Sequence, residues 1–193
     1  MSAHQGGRGR QQAGGEHRPK TTRHVAGVPI MGKHRAPRFT KVAEVMTPHV
    51  VAVTGVTFLP EAARIMKEED VGALPVVKED GTLIGIVTDR DITVRAVAAG
   101  LDPREIRVGE IATMEDLVTL SPATTLAEAE ACMAEHQVRR LPVVESGERV
   151  VGMLALADLA SLASGKDLKA VVEDISRAGG EHTQVAENLP KHG

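Results

Sequence analysis

Aromatic residues are nearly missing from this chain of 193 residues: there is no Trp or Tyr, and Phe39 and Phe58 are the only Phe. A packed interior must therefore be built from Val, Leu, Ile, Met and Ala, which the 42% hydrophobic content supplies. With no aromatic shelf on which bases could stack, a single-strand or RNA-binding role is disfavoured. Cysteine is equally scarce. Cys132 stands alone, which excludes an intrachain disulfide and suits a reducing, intracellular setting. No window reaches the run of about 18 apolar residues that reads as a membrane span, and the N-terminus lacks a signal-peptide core. A soluble, cytoplasmic protein without a membrane partner is expected.

Charge is present but unevenly placed. Residues 1–38 hold eight Lys/Arg against the single Glu16, whereas residues 39–193 hold fifteen against twenty-five acids. A basic arm of about +7 thus precedes an acidic body of about −10. The arm is rich in Gly, Arg, Gln and His without hydrophobic periodicity, so disorder is expected over residues 1–38. Such an arm is an electrostatic tether to a polyanion such as nucleic acid, or else a solvated tail or a stretch upstream of a start at Met31. The tail is the preferred reading. Four histidines of the arm (His4, His17, His24 and His34) match no metal-site spacing, and no metal is expected.

Beyond the arm the chain repeats itself. Residues 59–91 recur at a constant offset of 67 through residue 158, with twelve of thirty-three positions identical, among them Leu74/Leu141, Pro75/Pro142, Gly85/Gly152 and Asp91/Asp158. Upstream, Val42–Thr47 answers Val108–Thr113 at an offset of 66. One such unit is too small to bury a good core, so two copies most simply pack together about a pseudo-twofold axis, leaving two related clefts.

Each unit reads as β-α-β-β-α, in an α/β (α+β) fold. Val42–Met46 is a helical lead ended by Thr47 and Pro48, and Val50–Val53 is a short buried strand. Leu59, Ala62, Ala63 and Met66 share one helix face, and Gly72 ends that helix. Ala73–Val77 and Leu83–Val87 form a hairpin, and Thr88 opens a helix that stops at Gly100. The second unit follows the same order: a strand at Leu117–Leu120, a helix capped by Thr125 and Glu128, a hairpin of Arg140–Glu145 and Val150–Leu154, and a helix starting at Asp158. Expected boundaries are 39–103 and 104–165, with a further helix over 166–177 and fraying from Gly179 within the 166–193 tail.

The tandem order, with Val71–Val77 (VGALPVV) and Gly85–Ile92 (GIVTDRDI), resembles the cystathionine-β-synthase (CBS) domain family. The stretches 88–103 and 135–142 are similar to small stand-alone CBS-pair proteins of actinobacteria, their hypoxic-response and dormancy-type members above all. The resemblance covers roughly residues 40–165. It implies a paired module assembling into disc-like dimers, a regulatory stress-response role, and an adenosine nucleotide or related adenosyl ligand bound between the repeats without catalysis. AMP, ADP, ATP and S-adenosylmethionine are the ligands it suggests; no cofactor is required, and the partner protein is unknown.

Thr88 and Asp91 carry the chemistry most worth following. A hydroxyl and free amides at a helix start suit a phosphate, and a carboxylate one turn on suits the cis-diol of a ribose. Thr-x-x-Asp is also an ordinary helix cap, and both roles are expected together. The resemblance assigns phosphate to Thr88 and ribose to Asp91. It draws the base wall from the other repeat as Thr113, Val118, Val138 and Arg139, with Ile86 as apolar cover and Arg140 as a phosphate partner. The mirror-related site would use Thr47, Ala52, Val71, Gly72, Ala73, Met153 and Asp158. It lacks a hydroxyl at Ala155 and an Arg pair at Gly72 and Ala73, so it should be weaker, empty, or suited to a less charged adenosyl ligand. Cys132 and Met133 read as core, His136 as a helix-surface residue. No catalytic Ser/His/Asp or Cys/His pattern, nucleotide-binding Gly-rich loop or zinc spacing is present, so an enzyme is not expected. The competing expectation is a ligand-independent interaction protein with vestigial clefts.

Overall fold

The computed structural model describes residues 22–24, 40–145, 148–162, 172–173 and 175. Strand β1 (Thr22–His24) lies within the arm that was expected to be disordered; the rest of the arm is outside the described residues. A 3-10 turn (Val42–Glu44) leads into β2 (Thr47–Pro48) and β3 (Val53–Thr54). Then come α1 (Leu59–Glu68), β4 (Ala73–Val77), β5 (Leu83–Thr88) and α2 (Asp89–Asp91), which runs directly into a π-helical turn (Ile92–Val97). The second repeat consists of α3 (Val108–Ile111), β6 (Leu117–Thr119), α4 (Leu126–His136), β7 (Arg140–Glu145), β8 (Arg149–Ala155) and α5 (Leu156–Leu162).

The apolar spacing accounts for α1. Leu59, Ala62 and Met66 are buried on one face, and Pro60 sits in the first turn, where its missing amide costs nothing. The helix stops before Gly72. Asp70 takes a left-handed φ of 52°, and Val71 N donates back to Met66 O at 2.9 Å. Gln137 ends α4 in the same way, with φ 52° and Val138 N donating to Met133 O at 3.0 Å. At the front of α4, Thr125 and Glu128 make the reciprocal cap read from their spacing.

Each repeat lends its leading segment to the other. Strand β3 pairs parallel with β4, and β4 antiparallel with β5; beyond β5, Ile86 bridges to Thr113 from the lead of the second repeat. On the other side β7 pairs with β8, and β8 takes β2 from the lead of the first repeat, Thr47 facing Met153. The cores follow the exchange. Val42 is buried among Leu120, Leu126, Met133, Leu141 and Leu154, whereas Val108 and Ile111 are buried among Leu59, Met66, Leu74 and Val87. Burying Val42 in one core, and Val108 and Ile111 in the other, contributes about 1.5–3 kcal/mol per side chain, so each core depends in part on the other repeat's lead. The repeats are contiguous in sequence, but their cores are not.

The hairpins also meet. Leu83 N donates to Glu148 O at 2.9 Å and Val150 N to Gly81 O at 3.3 Å, placing Leu83, Ile86, Leu117, Val144 and Val150 in one cluster between the repeats. The leads pass so close that positions 85 and 152 must be glycine. A Cβ on Gly85 would stand 2.9 Å from Thr113 O, and one on Gly152 2.8 Å from Thr47 O.

Other expectations shift by a few residues. Thr47 and Pro48, read as a helix end, form β2. The buried strand expected at Val50–Val53 begins only at Val53, and Val51 is exposed. The last helix starts at Leu156, with Asp158 in its first turn. Of the helix expected over 166–177, Val172, Glu173 and Ile175 are helical, with Ile175 buried in the second core. The remainder, and the fraying expected from Gly179, lie outside the described residues.

Candidate functional site

Thr88 and Asp91 sit where β5 turns into α2. Thr88 is extended, with φ −120° and ψ 161°, and its Oγ1 accepts from Asp91 N at 3.1 Å. Asp91 answers with Oδ2, which accepts from Thr88 N at 2.9 Å and from Thr88 Oγ1 at 2.6 Å. The cap reading of this motif is thus realised. It also disposes of the free amides expected for a phosphate. Asp89 N donates to Gly72 O at 3.2 Å, Arg90 N to Asp89 Oδ1 at 2.7 Å, and Asp91 N to Thr88. Asp91 Oδ1 takes no part in the cap and pairs instead with the Arg95 guanidinium at 3.3 Å.

Arg95 was not singled out by its sequence context, although Asp91 and Arg95 have the i, i+4 spacing of a helix pair. It does more than pair. Its Nη1 donates to Ile111 O at 2.7 Å, so one side chain ties the Asp91 carboxylate to the end of α3 in the other repeat. Thr113 follows two residues later and exchanges both backbone hydrogen bonds with Ile86 at 2.9 Å. Ile86 and Thr113 are therefore brought together as expected.

The other wall residues occupy the facing repeat. Val118 lies on β6 and Val138 just ahead of β7, both half-buried against the second core. Leu117, beside Val118, shares the inter-repeat cluster with Ile86. Arg139 is exposed and Arg140 half-buried. Arg140 crosses to the first repeat: its Nη1 lies 3.4 Å, and Asp89 Oδ2 2.9 Å, from the point where a Cβ of Gly72 would stand. The missing side chain at Gly72 makes room for both. Asp89 is a residue that sequence patterning did not mark, because its approach to Gly72 and Arg140 depends on how the repeats face each other.

In the mirror-related site Thr47 and Met153 are paired across β2 and β8. Asp158 Oδ2 accepts from Ala155 N at 2.8 Å, repeating the Asp91 cap without a hydroxyl. Leu162 stands at the position of Arg95 and is exposed. Ala52 is half-buried, Val71 exposed and Ala73 buried at the start of β4 opposite Thr88. Gly72 faces Asp89 and Arg140, so it belongs to the corner of the first site as much as the second.

Cys132 lies in the second core, where burial, and then the nearby Glu135, push its thiol up to about 12. It is a small apolar side chain in this setting. Among the described residues no group of three or more His, Cys, Asp or Glu stands in a metal-holding arrangement, and no helix is long and apolar enough to cross a membrane.

The same architecture is found in proteins of related sequence. The chain is 44% identical over 121 residues to the CBS domain-containing protein YhcV of Bacillus subtilis, covering 63% of this chain and 84% of that protein. It is 40% identical over 121 residues to Hypoxic response protein 1 of Mycobacterium tuberculosis, covering 63% of this chain and 83% of that one. A crystal structure of Hypoxic Response Protein I with two coordinated zinc ions matches at TM-score 0.59 and 38% identity, over 65% of this chain and all of that one. The CBS domain pair of protein MJ0100 in complex with 5-methylthioadenosine and S-adenosyl-L-methionine matches at TM-score 0.58 and 28% identity, over 66% and 98%. The CBS domain model matches twice, over residues 42–97 and 108–165, and the chain belongs to the CBS domain family as a tandem pair.

Proposed function

We propose that this CBS pair is a non-catalytic, cytoplasmic regulatory module that binds one adenosyl ligand in the cleft at Thr88 and Asp91. The observation that carries this reading is the Asp91 carboxylate, fixed by Thr88 on one oxygen and linked through Arg95 to α3 of the other repeat on the other. A ribose hydroxyl donating to Oδ1 reinforces the carboxylate that Arg95 holds, and so changes how firmly the repeats are tied. Ligand can shift the module only through such a difference in affinity between two arrangements. The adenosyl complexes of the MJ0100 pair support this ligand class.

Within that class, the site favours one phosphate or none. The first amides of α2 are already taken, and Asp89 offsets Arg140 at the corner where a phosphate would lie. AMP and S-adenosylmethionine should therefore bind more tightly than ADP or ATP, by about tenfold if one unfavourable charge contact of about 1.4 kcal/mol separates them. Base and ribose would be covered by Ile86, Thr113, Val118 and Val138, with Arg139 and Arg140 at the phosphate end. The mirror-related site keeps Asp158 but has neither a hydroxyl nor an arginine link, and is proposed to be weak or silent.

Output would pass through assembly. Val94, Val97 and Leu101 leave an exposed apolar stripe beyond α2, 37%, 57% and 43% exposed, and a homodimer covering it gives the module a second surface to move. A second reading, a ligand-independent interaction protein, is favoured by one fact: the helix cap alone accounts for both hydrogen bonds of the Thr88 hydroxyl. Calorimetric titration with AMP, ADP, ATP and S-adenosylmethionine separates the two. Saturable binding lost in Asp91→Ala supports the sensor. No heat from any of the four, with the fold intact, supports the interaction protein.

A further inference from the structure

We infer that the edge of β6 is a docking surface for the chain's own basic arm, and that residues 22–24 compete there with the ligand. This rests on the proposed site, because β6 carries Val118, its base wall. Strand β1 lies parallel to β6 with Thr22 beside Leu117, Arg23 beside Val118 and His24 beside Thr119. An extended segment adding to a sheet edge satisfies the edge's amides and carbonyls, the same groups that would read the edge of a base. One backbone edge cannot serve both partners.

Charge complementarity supports this docking. The basic arm, carrying Arg23 here, reaches β6 just after the exposed acids Glu115 and Asp116 on an acidic body. A strand of three residues adds few hydrogen bonds, so it holds the edge loosely and yields to a ligand. Its effect is therefore graded: apparent affinity falls by the fraction of molecules in which the edge is free.

The test uses the full chain with Arg23→Pro and His24→Pro together. Amides of an extended strand alternate sides, so two adjacent prolines remove one donor facing β6 whichever side the strand presents. Amide exchange at Leu117 and Thr119, which face away from β7, is expected to speed up at least about tenfold in the variant, with Val118 and the thermal unfolding of the body unchanged. AMP is expected to bind about threefold to tenfold more tightly to the variant, with the gap narrowing at high salt as the arm's attraction is screened. Equal exchange at Leu117 and Thr119, or equal or weaker AMP binding in the variant, overturns the competition. If only AMP binding is equal, the ligand reading survives while the competition does not. If neither chain binds AMP or S-adenosylmethionine, both are overturned.

Discussion

At the start of α2, Thr88 N donates to Asp91 Oδ2 at 2.9 Å; at the start of α5, Ala155 N donates to Asp158 Oδ2 at 2.8 Å. The two hydrogen bonds differ by only 0.1 Å, but their surroundings have diverged. Asp91 has the Thr88 hydroxyl on one side and Arg95 on the other, whereas the equivalents in the second repeat are Ala155 and Leu162. A capping carboxylate is thus kept wherever the fold needs a strand to turn into a helix. The hydroxyl and the arginine are extra to that need. They occur in one repeat only, and on the proposed reading they are what makes a site of that cap.

The largest effects should come from changes that both repeats feel alike. Gly85→Val and Gly152→Val each push a side chain into the carbonyl of the other repeat's lead, and each should cost about 1–3 kcal/mol in denaturant unfolding. A large cost at one position and none at the other would mean that only one lead is truly exchanged. Next come changes that only one repeat should feel. Arg95→Met removes a charged hydrogen bond to Ile111 O and the Asp91 pair, costing about 1 kcal/mol and weakening ligand binding several-fold. Leu162→Met, at the corresponding position, should change neither; equal effects at 95 and 162 would erase the asymmetry.

The smallest effect concerns Cys132, whose counterpart in the first repeat is Ile65. Its thiol is raised from 9.0 to about 12 in the fold, so the folded state disfavours the thiolate. The stability due to a neutral, buried thiol is complete below 9.0 and is lost as pH climbs towards about 12, because the unfolded chain ionises first. Cys132→Val should flatten the stability profile in that window, and the native thiol should resist alkylation near neutral pH. Fast alkylation of the folded protein would contradict its burial.

Much of the fold could be read from periodicity and duplication. The Leu59, Ala62 and Met66 face, the Thr125–Glu128 cap and the two hairpins follow from local preferences that the pattern displays. The exchange of leads was not legible. Val42 and Val108 look alike in either core, and only the packing decides which one each enters. Helix ends at Asp70 and Gln137 were missed because polar residues took the left-handed position usually read from glycine. At the site, Ile86 and Thr113 were identified by resemblance and do meet. The satisfied amides of α2, and the approach of both Arg140 and Asp89 to Gly72, depend on side-chain placement that no local motif encodes. Strand β1 was hidden for another reason: a three-residue strand in a Gly- and Arg-rich arm has no periodicity to betray it.

The most direct test of a working site in one repeat only is a matched titration of Asp91→Ala and Asp158→Ala with AMP and S-adenosylmethionine, beside the unaltered chain. The account predicts saturable micromolar binding in the unaltered chain and in Asp158→Ala, and its loss in Asp91→Ala. Binding that survives Asp91→Ala, or that disappears with Asp158→Ala instead, would contradict it.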